Sequence, residues 1–125
     1  MKTVDDVERY LALSGHAYAP IGPETWVVKV QPGDAKIAVQ LTPPLVVVRM
    51  KIMAAPKAGR EAFFAKLLTM NATEAVHGAF GLEGDDVVLT CALEVENLDP
   101  NELISAVDSF ELTWGLARET LAHYA

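Results

Sequence analysis

An α+β fold is predicted, in the order α-β-β-β-α-β-β-α, with one twisted antiparallel sheet covered by helices on one face. Three observations predict it. Three segments alternate apolar and polar residues between Thr25 and Met53, divided by short Pro/Gly breaks. A second alternating pair follows between Val76 and Val95. Segments with helical spacing lie before, between and after these strands. No linker or repeat divides the chain, so residues 1–125 are expected to form a single domain. At 51% apolar residues, it can build a core of that size.

Thr3 and Asp6 have the spacing of a capping box, and Val4, Val7 and Leu11 then share one helical face. Gly15 suits the end of this first helix. His16 to Glu24 contains Pro20, Gly22 and Pro23 and reads as a loop. In Thr25 to Gln31, Trp26, Val28 and Val30 alternate with Val27, Lys29 and Gln31. Pro32-Gly33-Asp34 reads as a turn. Ile37, Val39 and Leu41 repeat the pattern in Lys36 to Leu41. After Thr42-Pro43-Pro44, Val46, Val48, Met50 and Ile52 oppose Val47, Arg49 and Lys51 in Leu45 to Met53. One face of this meander is buried and the other wet.

Arg60 to Ala72 is predicted helical, with Phe63, Phe64, Leu67 and Leu68 as its apolar stripe and Asn71 as a polar or left-handed stop. Val76 to Leu82 and Val87 to Val95 form a hairpin across Glu83-Gly84-Asp85-Asp86. Gly78 and Gly81 weaken the first of these strands unless something must approach closely. The last helix has Asp99 as N-cap, Pro100 at N1 and Glu102 completing the box. Leu103, Val107, Phe110, Trp114, Ala117, Leu121 and Tyr124 then form an apolar stripe of about six turns. Gly115 interrupts it at a cost of about 1 kcal/mol relative to alanine.

Catalytic chemistry finds no constellation. His16, His77 and His123 have no metal-ligand spacing, so neither a metal nor another cofactor is expected. Cys91 alternates in phase with Leu89 and Leu93 and reads as core. Being the one cysteine, it excludes an internal disulfide. Ser14, Ser105 and Ser109 lie on helices without a nucleophile-elbow context. Gly78 to Gly81 is a glycine pair in a strand, not a phosphate loop. Apolar runs such as Leu45 to Val48 have strand length, far short of a membrane span. Met1 to Asp6 turns acidic at once and does not read as a secretory signal, so a cytoplasmic protein is expected.

The net charge of −7 argues against nucleic-acid binding. Its distribution is uneven. Residues 1–66 carry nine Lys/Arg and six Asp/Glu, whereas residues 67–125 carry Arg118 alone against eleven acids. Two readings stay open: an ordinary solvated surface, or two surfaces of opposite sign, one suited to a partner. The outward face of the first three strands is the candidate partner-binding platform. It presents Lys29, Lys36, Arg49 and Lys51 with Val27 and Val47 between them. Lysines that discourage edge pairing are the competing explanation.

The element order resembles the class I type III secretion chaperones, the Tir-chaperone group. It also resembles the related YbjN-like group of bacterial proteins, proposed sensory transduction regulators. The likeness is strongest from Phe63 to Leu121. Leu67-Leu68 followed by Asn71 is similar to the family's double leucine and asparagine. His77 to Leu82 resembles its glycine-containing fourth strand, and Phe110, Trp114 and Leu121 its aromatic final helix. The resemblance implies a homodimer without enzymatic activity, holding a segment of a partner protein such as a secreted effector, or acting as a regulator. A dimer interface at Val76, Gly78, Phe80 and Gly81 is expected. The alternative is a small-ligand sensor or enzyme with a pocket between helices and sheet.

Overall fold

The computed structural model describes residues 3–33 and 35–124. Asp34 of the expected turn, and Met1 and Lys2, lie outside the described residues. The elements are α1 (Val4–Leu13), β1 (Tyr18–Gly22), β2 (Thr25–Val30), β3 (Ala35–Thr42), β4 (Leu45–Ala54), α2 (Arg60–Thr73), β5 (Ala79–Glu83), β6 (Asp86–Glu94) and α3 (Pro100–Leu121). A short 3₁₀ turn, Ala122–Tyr124, ends the description. The sheet runs β1-β2-β3-β4-β6-β5, with each neighbouring pair antiparallel.

Strand β1 corrects the expected loop. It sits at the sheet edge, with Tyr18 opposite Val28 and Ala19 opposite Val27. The Lys29 N–H donates to the Ala17 carbonyl at 2.9 Å. Backbone groups alternate direction along an antiparallel strand, so Pro20 turns its ring nitrogen to the open side. A proline is tolerated there because no neighbouring strand asks for its missing N–H.

The alternation expected of β2, β3 and β4 is met. Trp26, Val28, Val30, Ile37, Val39, Leu41, Val46, Val48, Met50 and Ile52 are all buried. The helices pack on that face. In α1, Asp6 accepts from the Thr3 backbone N–H at 2.8 Å and from its hydroxyl at 3.1 Å. Val7, Tyr10 and Leu11 are buried. The Trp26 indole donates to Glu8 across 3.4 Å, and the Tyr10 hydroxyl to the Leu98 carbonyl across 3.4 Å. These bonds join α1 to the sheet and to the segment leading into α3.

Helix α2 buries Phe63, Leu67 and Met70, while Phe64 is half-buried and Leu68 is 70% exposed. Positions i, i+4 and i+7 share a face, and Leu68 stands a further ~100° round the helix, so the expected place of Leu68 in the stripe is corrected. Asn71 does not stop the helix either. Its Nδ2 donates to the Phe80 carbonyl at 3.2 Å, and its Oδ1 accepts from the Phe80 N–H at 2.7 Å. Strand β5 begins at Ala79, not Val76, because Gly78 is left-handed (φ +77°). A Cβ on Gly78 would lie 2.3 Å from the Thr90 carbonyl oxygen.

In α3 the Glu102 N–H donates to Asp99 at 3.0 Å and the Asp99 N–H to Glu102 at 3.2 Å, the reciprocal box expected. Leu103, Ala106, Val107, Phe110, Thr113, Ala117 and Leu121 are buried. Trp114 is half-buried rather than central, and its indole donates to the Pro32 carbonyl at 2.8 Å. Phe110, with no exposed surface, holds the centre of the stripe.

Two predictions follow from this packing. Phe110→Ala is expected to cost about 3–5 kcal/mol of stability. Trp114→Ala, which loses a hydrogen bond and a partly wet ring, should cost less, about 1–3 kcal/mol. Urea denaturation of both variants measures the difference, and equal losses would contradict the observed burial. Gly78→Ala should destabilise by more than about 1 kcal/mol, from its positive φ and the close Thr90 carbonyl. Gly81→Ala, where an added Cβ meets nothing within 4 Å, should stay within about 0.5 kcal/mol of the parent.

Candidate functional site: the uncovered sheet face

Period-two alternation gives the sheet a second face, which the helices do not cover. The register brings the expected platform residues together there. Val27 lies opposite Ala38, Ala38 opposite Arg49, and Arg49 opposite Thr90. Lys29 is opposite Lys36, and Val47 lies between Gln40 and Ala92. Val27 and Val47 are half-buried, whereas Lys29, Lys36 and Lys51 are exposed.

The electrostatics differ from the expectation of a bare basic platform. Arg49 forms an ion pair with Glu83, and Lys51 Nζ lies 3.5 Å from Asp86 Oδ1. Arg60 Nη2 lies 3.3 Å from Asp85 Oδ1 at the same turn. The β5–β6 turn therefore returns three carboxylates to cations of the first half of the chain. In the sequence these acids show only as members of a hairpin turn. The lopsided charge of the two halves was the available signal, but it needs the β4–β6 register to become a contact. Among the described residues, Lys29 and Lys36 have no carboxylate partner.

Two shallow depressions cross this face and meet at Val27. One, of about 140 Å³, is bounded by Ala17, Tyr18, Ala19, Val27 and Lys29. The other, of about 220 Å³, lies among Val27, Lys36, Ala38, Arg49, Lys51, Val88 and the acids Glu83 and Asp86. Their floors are apolar and their rims charged, a surface fitted to side chains of a polypeptide.

The residues expected at a dimer interface do not lie together on one surface. Val76 is 72% exposed, and Gly81 is open on its Cβ side. Phe80 is buried in the core of its own chain. The close approach that Gly78 permits is to Thr90 of its own β6. Leu68 on α2 and Leu82 on β5 are also exposed.

Other candidate chemistry is sparse. A cavity of about 170 Å³ lies between α3 and β4, walled by Ile52, Met53, Trp114, Ala117 and Leu121, with Arg118 its one charged group. His16 Nε2 lies 2.7 Å from Asp108 Oδ1, a pairing of the α1–β1 connection with α3. Partial burial pushes the Cys91 thiol above its ordinary pKa, the reverse of what an activated nucleophile needs. Among the described residues no group of three or more His, Cys, Asp or Glu is placed to hold a metal, and no helix is long and apolar enough to cross a membrane.

The fold is shared with solved structures. YbjN from E. coli, described as a candidate transcription regulator, superposes with a TM-score of 0.68 at 14% identity, over 98% of this chain and 93% of that one. A chain of the heterodimeric ExoU–SpcU complex from the type III secretion system of Pseudomonas aeruginosa gives a TM-score of 0.64 at 15% identity, over 90% of this chain and 93% of that one. No curated protein matches the chain. The family model CesT_Tir_1 matches residues 1–125, the whole length, and the protein belongs to this type III secretion chaperone family.

Proposed function

We propose that this chain acts as a single-domain, non-enzymatic, cofactor-free protein-binding module of the cytoplasm. It is chaperone-like or regulatory, and works as a homodimer holding a segment of a partner protein. The observation that carries this reading is the uncovered sheet face, with its two depressions meeting at Val27. The partner segment contacts Val27, Lys29, Lys36, Val47, Arg49 and Lys51. Family membership supports a chaperone's task, and the solved complex of similar fold offers a secreted effector as the kind of partner.

The physical case rests on two features. Apolar side chains entering the depressions gain by leaving water, at about 25 cal/mol per Å². The unpaired cations Lys29 and Lys36 attract acidic residues of the segment, whereas a carboxylate approaching Arg49 or Lys51 must compete with Glu83 or Asp86. A strand adds beside this face at the β1 edge, whereas on the other edge Asn71 already takes both backbone groups of Phe80. The homodimer uses the opposite end, where Val76, Leu68 and Leu82 are exposed, with Gly81 beside them and Gly78 and Phe80 shaping the strand from within.

Once a partner segment is in hand, Val47→Asp is expected to weaken its binding at least tenfold while leaving the denaturation midpoint in place. Lys29→Glu/Lys36→Glu should mainly slow association and flatten its salt dependence. Stopped-flow and equilibrium titrations measure both. If those variants bind as the parent does while Leu13→Asp on the exposed side of α1 abolishes binding, the site is on the helix side and the assignment fails. Sedimentation at tens of micromolar should show twice the 13.5 kDa chain mass, and Leu68→Asp/Val76→Asp should reduce it to one. A parent that sediments as a monomer refutes the dimer.

A further inference from the structure

A groove of about 530 Å³ runs along the outer side of α3, on the opposite side of the molecule from the bare sheet face. Leu112 and Leu116 line it, 63% and 41% exposed, although both are large aliphatic side chains with room to pack. Between them sits Gly115. A Cβ placed there meets nothing within 4 Å, so the fold of this chain does not require a glycine at that position. A helix-weakening residue kept without an internal packing reason leaves a notch in the groove floor. A notch of this kind lets another backbone approach α3 closely.

The rim is acidic. Asp108, Glu111 and Glu119 line the groove, and no lysine or arginine does. Arg118, the one nearby cation on α3, turns instead toward Gly33. Glu111 accepts the Gln31 N–H at 2.9 Å, which fixes its carboxylate at the groove wall.

We infer that this groove is a second docking surface, whose occupant is a basic amphipathic helix of a partner protein. The backbone groups of α3 are bonded within the helix, so an extended segment would find none to pair with. An occupant must satisfy its own backbone, as a helix does. From Asp108 to Glu119 the groove is about 16 Å long, or three helical turns. That length calls for leucine-like residues at i, i+3, i+4 and i+7 seated on Leu112, Gly115 and Leu116, flanked by lysines or arginines facing the three carboxylates. A second copy of this chain is the wrong occupant, because two-fold pairing of α3 would oppose carboxylate to carboxylate.

The test uses the full chain and synthetic 18-residue peptides. One has a leucine face at helical spacing with lysine flanks. Its counterpart has glutamate flanks, and a third keeps the lysines but scrambles the leucines. Fluorescence anisotropy should show saturable binding of the first, with the other two at least tenfold weaker. Leu112→Asp should lower affinity at least tenfold with an unchanged circular dichroism spectrum. Gly115→Ala should act in opposite senses on the two readouts, raising Tm by roughly 3–5 °C while weakening the peptide several-fold. Val47→Asp on the sheet face should leave peptide binding unchanged, so failure at one surface is distinguishable from failure at the other. Equal binding of the scrambled peptide, parent-like binding by Leu112→Asp and Gly115→Ala, or no saturable binding at all would overturn the inference.

Discussion

The pairing of β4 with β6 is the constraint on which the rest of the molecule depends. It runs from Leu45 opposite Glu94 to Ala54 opposite Asp86, with a register shift between Lys51 and Met53. The two strands are separated in the chain by α2 and β5, so their meeting is a long-range event that joins the two halves into one sheet. Had β5 followed β4 in space as it does in sequence, the turn acids would lie elsewhere. As built, Glu83, Asp85 and Asp86 meet Arg49, Arg60 and Lys51. Part of the charge imbalance between the halves is thus cancelled inside the molecule. Each of these exposed pairs contributes little to stability, about 0–1 kcal/mol. Their effect is on what the surface offers: among the described residues, the bare face keeps two cations without carboxylate partners, Lys29 and Lys36, and a groove on α3 keeps Asp108, Glu111 and Glu119.

Covering one sheet face and leaving the other bare sorts the chain into a side that holds the core and a side open to solvent. On the helix side, α1, α2 and α3 bury Trp26, Phe63 and Phe110, and that core tolerates little change. On the bare side, the half-buried Val27 and Val47 lie among charged residues and contribute less to folding. Substitution there can change the surface while the core remains closed. Proteins that share this fold at 14–15% identity can accordingly differ in what they bind.

Features encoded within a few residues were legible in the sequence. The Asp99–Glu102 box and the alternation of Trp26 to Val30 depend on neighbours along the chain and appear as read. In β6, Val87 and Leu89 are buried as expected, but Val88 is buried with them and Cys91, read as core, is half-buried. Leu68 and Trp114 were misplaced because an apolar stripe can be drawn in two ways when apolar residues are adjacent, and the packing partner selects one. Strand β1 was hidden by Pro20, Gly22 and Pro23, whose local signal is a turn but whose position at an edge removes the objection. The platform residues were legible as a face, since alternation alone assigns them. Their acidic partners were not, because a register between distant strands is absent from any single stretch of sequence. The groove on α3 left a trace in Gly115, which counts as a defect until its surroundings are known to be empty.

Asn71 closes one border of the sheet with a side chain that imitates a neighbouring strand. Its carboxamide offers Phe80 a donor and an acceptor, as another backbone would, and stops there. Linear stacking of sheets requires each unit to have two receptive borders, one to take a neighbour and one to be taken. Here one border is answered from within at Phe80, the second residue of β5, and the other is interrupted by Pro20. Every unit of an end-to-end series would therefore meet a border already occupied at Phe80, which disfavours growth into a fibre.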